Sequence, residues 1–145
     1  MENDMKKTIA RLICALVIFA AGFWSGREAT VKAQSQRIFE LRTYTTLDGK
    51  LDALHARFRQ HTTRIFEKHG MTNIGYFRPM DPPLRDNTLV YLLAFPSRDA
   101  AKRSWDAFRT DPEWMRAREE SERGGKIVAK VESVFLEPAD YSRLK

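Results

Sequence analysis

Cysteine is almost missing from this sequence. Cys14 is the single one, and it falls within the first 33 residues. The remainder therefore forms no disulfide and offers neither a thiolate nucleophile nor a cysteine ligand for zinc. Histidine is nearly as scarce. His55, His61 and His69 have no HExxH spacing and no two-His-one-carboxylate grouping beside them, so no metal site is expected. The patterns GxGxxG, GxxxxGK followed by Ser or Thr, GxSxG and CxxC are also absent. Dinucleotide, phosphate-loop and acyl-enzyme chemistry thus have no motif behind them, no cofactor is expected and no catalytic residue is assigned. A one-sided basic patch is lacking too. The net charge of +6 is spread among acids, as in Arg116-Ala117-Arg118-Glu119-Glu120, which argues against nucleic acid as a partner.

Residues 1–33 differ from the rest. Lys6 and Lys7 precede an apolar run from Leu12 to Trp24, and Val31-Lys32-Ala33 provides small residues for cleavage, the layout of a secretory signal. The run is 13 residues long, short of the roughly 20 that a spanning helix needs. An uncleaved anchor is the alternative, with the run extended upstream past Arg11, whose side chain can snorkel. Either way the chain is expected to be exported, periplasmic or secreted, or else tethered to the cytoplasmic membrane, which it would touch only through this segment. Residues 34–145 hold twenty basic and sixteen acidic side chains, a net +4, and suffice for one two-layer domain.

Within that domain, Phe39, Leu41 and Thr43 alternate with Glu40, Arg42 and Tyr44, as in a strand with one apolar and one polar face. A strand is expected over about Arg37–Thr45, then a helix over about Leu47–His69. Leu51, Leu54, Phe58, Ile65 and Phe66 form its buried stripe, with Lys50, Arg57, Arg59, Arg64 and Lys68 left largely to water. Gly70 is a natural helix stop. Strands follow at about Met71–Arg78 and at Thr88–Phe95, the second apolar at nearly every position, as a central strand is. Ser97 caps a helix to about Arg109, and Asp111-Pro112 opens another to about Arg123. Ile127–Leu136 completes the sheet. The order is α+β, a ferredoxin-like βαββαβ with a four-stranded antiparallel sheet and both long helices on one face. The uncovered face calls for a second copy.

The runs Glu-Leu-Arg-Thr-Tyr-Thr (40–45), LDxxxxxFRxHT (51–62) and FEKHGM (66–71) resemble the NIPSNAP family of the dimeric α/β-barrel superfamily, and the resemblance covers about Arg37–Leu136. It implies a homodimer whose two sheets close a barrel. On that arrangement Glu40, Arg42 and Tyr44, roughly 7 Å apart, are expected to point into the barrel, with Phe39 and Leu41 under the helices. Two readings of the face stay open. One is a structural Glu40–Arg42 ion pair. The other is a ligand pocket in which Arg42 holds an anionic or carbonyl group and Tyr44 and Tyr76 donate hydrogen bonds. His61 and Trp105 complete the candidate ligand-binding set, although aromatics spaced as Trp105, Phe108 and Trp114 are more often packing. His69 is expected to meet the last carbonyls of its helix. The function expected is a homodimeric module binding a small ligand or a protein. The alternative is a cofactor-free oxygenase, since other families with this barrel oxidise quinol-type or haem substrates.

Overall fold

The computed structural model describes residues 37–145; the expected signal or anchor at 1–33 lies outside them. The elements run β1 (Ile38–Thr46), α1 (Leu51–Arg57), a π-helical turn (Phe58–Thr62), α2 (Thr63–Lys68), β2 (Thr72–Phe77), a 3-10 turn (Leu84–Asp86), β3 (Thr88–Phe95), α3 (Arg98–Arg109), α4 (Pro112–Ser121) and β4 (Val128–Leu136). All strand pairs are antiparallel, in the order β2-β3-β1-β4. This is the ferredoxin-like α+β arrangement. Among the described residues no helix is long and apolar enough to cross a membrane.

Local chemistry explains most boundaries. The Ser97 hydroxyl accepts from Ala100 N at 3.1 Å and starts α3. Asp111 caps α4 with Pro112 in its first turn, accepting from Glu113 N at 2.7 Å and Trp114 N at 3.3 Å. Gly70, at φ +76°, turns the chain from α2 into β2 in a conformation that a side chain would resist. The first long helix is not one unbroken α-helix, however. At Phe58–Thr62 it widens into a π turn, where the buried Thr62 hydroxyl donates to the Arg57 carbonyl at 3.3 Å.

The core lies between the helices and one sheet face. Leu54, Phe58, Ile65 and Phe66 meet Leu89, Tyr91, Leu93 and Phe95 of the central strand, and Trp105 and Phe108 close one end. Tyr91 is the hub, with ring centroids of Phe58, Tyr44, Tyr76 and Phe66 at 5.2, 5.3, 5.6 and 6.0 Å.

Register reverses one expectation. Directly opposed residues share a sheet face, and Glu40, Arg42 and Tyr44 oppose Leu93, Tyr91 and Leu89. Their face is therefore the helix side, not the barrel side. The Trp105 indole on α3 reaches Glu40, which requires the same placement. Both sheet faces are largely apolar, so apolarity alone could not decide which one the helices cover. The open face carries Leu41, Val90 and Leu92, half-buried, beside Val134, 54% exposed, and Phe77, 57% exposed. At one end of it Phe39 and Leu92 line a groove with Pro138, Ala139 and Leu144 of the C-terminal segment, and Phe39 is buried there.

Candidate functional site

Glu40 lies at the base of the helix-side face and is 1% exposed. Three donors reach its carboxylate: Arg42 Nη1 to Oε1 at 2.6 Å, Ser133 Oγ to Oε1 at 2.5 Å and Trp105 Nε1 to Oε2 at 2.6 Å. A buried carboxylate so supplied is held rigidly. It fixes Arg42, whose guanidinium lies 4.1 Å from the Trp105 ring centroid and 5.6 Å from that of Tyr44. Burial works against the Arg42 charge, but neighbouring Tyr91, Tyr44 and Glu40 outweigh it and raise the pKa. Arg42 therefore stays protonated. Its Nε is buried without an acceptor.

Arg42 is one wall of a cleft of about 370 Å³ between the β1–β4 edge and the helices. Tyr44, Trp105, Phe108 and Trp114 supply aromatic surface, and Arg57 faces it from α1. The expectation that Arg57 is left to water fails. Its side chain is 3% exposed, because α4 packs beside α1 and brings Glu122 Oε1 to 3.2 Å and Ser121 Oγ to 3.3 Å from Nη1. The Trp114 ring lies 5.2 Å from its guanidinium, and its Nε too is buried without an acceptor. Arg109, Arg118, Lys126 and Lys130 complete the cleft's basic lining, with Glu122 as the acid.

The wall carrying Trp114 is anchored by Asp111. Besides capping α4, its Oδ2 lies 2.6 Å from both Lys68 Nζ and His69 Nε2, tying the end of α2 to the start of α4. Lys68 foremost, then His69 and the two backbone N–H groups, hold the Asp111 carboxyl well below the usual carboxylate range against the opposing effect of burial. His69 thus meets a carboxylate, where helix-end carbonyls were expected.

The structure unites four of the six residues singled out from sequence: Glu40, Arg42, Tyr44 and Trp105. Tyr76 is separated from them by Tyr91, on which it stacks with an interplanar angle of 23°. Its hydroxyl donates to Asn73 Oδ1 at 2.5 Å, and burial pushes its pKa up. Tyr76 lines a different groove with His55, Arg59 and Arg78. There desolvation, Arg59 and Arg78 push the His55 pKa down. His61 sits half-buried in the π turn and lines neither groove. Arg57 and Trp114 were missed as site residues. Arg57 borders the Leu54–Phe58 stripe, which is the one local hint of its burial. Among the described residues no group of three or more His, Cys, Asp or Glu side chains is placed to hold a metal ion.

Residues 39–143 match the family model described as NIPSNAP. The chain belongs to the NIPSNAP family. Solved relatives of this NIPSNAP protein include a NIPSNAP family protein of unknown function from Agrobacterium tumefaciens, 24% identical, with TM-score 0.66 over 77% of this chain and 96% of that one. An uncharacterized NIPSNAP-like domain protein from Burkholderia xenovorans is 20% identical, with TM-score 0.65 over 75% and 90%. At these identities the likeness speaks for the fold. No curated protein matches the chain.

Proposed function

We propose that this NIPSNAP protein is a homodimeric module, exported or membrane-tethered through residues 1–33, that binds a small ligand in the helix-side cleft. The observation carrying the reading is the Arg42 guanidinium. It is held in place by Glu40 and Trp105 on the wall of an aromatic-lined space of about 370 Å³. Natural ligand sites share that character: concave, mostly apolar, with a few fixed polar groups. Dimerisation is supported by the apolar open face of the sheet, which a second copy would cover.

Native mass spectrometry of the protein from its own host tests binding and assembly together. The expected spectrum is a dimer carrying a retained small molecule that is lost in Arg42→Met. A ligand-free protein that also retains nothing from a host metabolite extract would overturn the binding reading. Oxygen uptake with a turned-over ligand would convert the module into an enzyme.

A further inference from the structure

The cleft occupies the β1–β4 edge of the sheet. At the opposite, β2 edge lies a second groove of about 540 Å³ that shares no lining residue with it. Two segments build it. Asp52, His55 and Arg59 stand at three- and four-residue intervals along α1 and into the π turn, so one helical face presents all three. Across from them runs the end of β2. Tyr76 faces the helices, its ring 5.7 Å from that of Phe58, and Arg78, two residues on, continues the same side where the strand runs out. His55 and two arginines from different segments therefore line one space, with Phe77 and Leu89 as its apolar surface. Desolvation, then Arg59 and Arg78, push the His55 pKa down against the opposing Asp52, so both cations act on the same imidazole.

These donors are open to solvent. Arg59 and Arg78 are exposed and His55 is half-buried. Among the described residues none of the three makes a hydrogen bond or an ion pair, whereas Arg42, Arg57, Arg64 and Arg109 each pair with a carboxylate. Asp52 is the one acid in the lining and forms an ion pair with neither arginine. Two cations thus face a single carboxylate, beside an imidazole that an incoming anion would help to protonate. A monoanion would leave part of that charge uncompensated. Each guanidinium offers a planar fork suited to phosphate oxygens, and a phosphate monoester carries a charge of about −1.5 to −2 at neutral pH.

From this arrangement we propose a second binding site, at the β2 edge, for the phosphoryl group of a phosphate monoester, soluble or as a lipid headgroup, received by Arg59, Arg78 and His55. It uses none of the cleft residues and does not depend on the small-ligand reading above.

Calorimetric titration of the purified full chain with glycerol 3-phosphate, against glycerate and glycerol at one ionic strength, tests the soluble form. Phosphatidylcholine vesicles with and without phosphatidate test the lipid form. In at least one arm the phosphate monoester should bind about ten-fold or more tightly than its control. Arg59→Met and Arg78→Met should each weaken that binding about ten-fold or more. Lys126→Met in the cleft and Arg116→Met on the exposed surface of α4 remove the same charge elsewhere and should leave it unchanged. The His55 imidazole NMR signals should move during the titration while those of His69 stay in place. Binding in the vesicle arm alone, dependent on both arginines, supports the site with a lipid headgroup as its source; binding of glycerol 3-phosphate supports it with a soluble ester. Controls binding as tightly as the phosphate monoesters overturn the phosphoryl assignment. Binding lost in Lys126→Met, or retained in Arg59→Met and Arg78→Met, overturns the location. No binding in either arm overturns the site and leaves the cleft reading standing.

Discussion

Replacing Arg42 by methionine removes the cation bonded to Glu40, a carboxylate 1% exposed. Breaking a buried ion pair from one side costs about 3–5 kcal/mol, because the surviving charge is stranded. Two features pull the value toward the lower end. Trp105 Nε1 and Ser133 Oγ still donate to Glu40, and the Arg42 side chain is 16% exposed, so water partly screens the site. The lost cation–π contact with Trp105, worth about 0.5–2 kcal/mol, is offset in part by a thioether–aromatic contact of about 0.3–1.5 kcal/mol. A loss of about 3 kcal/mol is expected, roughly a 10–15 °C fall in melting temperature for a domain of this size. Glu40→Gln combined with Arg42→Met removes the stranded charge, keeps an acceptor for Trp105, and should recover about 1–2 kcal/mol. Urea unfolding followed by circular dichroism, at one fixed protein concentration, measures all three proteins. A single variant within about 0.5 kcal/mol of wild type, or a double variant less stable than the single, would refute the account of Glu40 as a buried charge that depends on Arg42.

Asp111 predicts a pH dependence. Its folded pKa is depressed, so its stabilisation is fully present above the ordinary carboxylate value of about 3.9 and is lost as pH falls from there through the folded value. The stability gap between wild type and Asp111→Asn should shrink as the pH falls below about 4; a gap that stays constant or widens over that acid range would contradict the ionised Asp111 carboxylate held by Lys68 and the α4 backbone. On the open sheet face, Val134→Glu should weaken dimerisation while leaving the helix-side core intact, read by sedimentation velocity alongside near-ultraviolet circular dichroism; an unchanged dimer would place the interface elsewhere. Fractionation of cells expressing the full chain should find it outside the cytosol. Shortened protein in the exported fraction would select cleavage, full-length protein in the membrane would select anchoring, and full-length cytosolic protein would exclude both.

Local patterns carried the architecture. The apolar run Thr88–Phe95, the Ser97 and Asp111-Pro112 caps and Gly70 placed the corresponding elements within a residue or two, because strand propensity, capping and left-handed turns are settled by neighbours in the chain. The Glu40–Arg42 pair was visible for the same reason, as two opposite charges two residues apart on one strand face. Which way that face points was not visible. Alternation separates a strand into two sides but does not say which side the helices cover, and here both sides are largely apolar. The answer came from Trp105 and Ser133, 65 and 93 residues from Glu40. Arg57 shows the same limit. On its own helix it is a charged residue at the edge of a stripe, and it becomes a buried wall of the cleft only because α4 supplies Trp114, Ser121 and Glu122. A charge can be taken out of water only where partners compensate its desolvation, and those partners come from segments that no local periodicity connects.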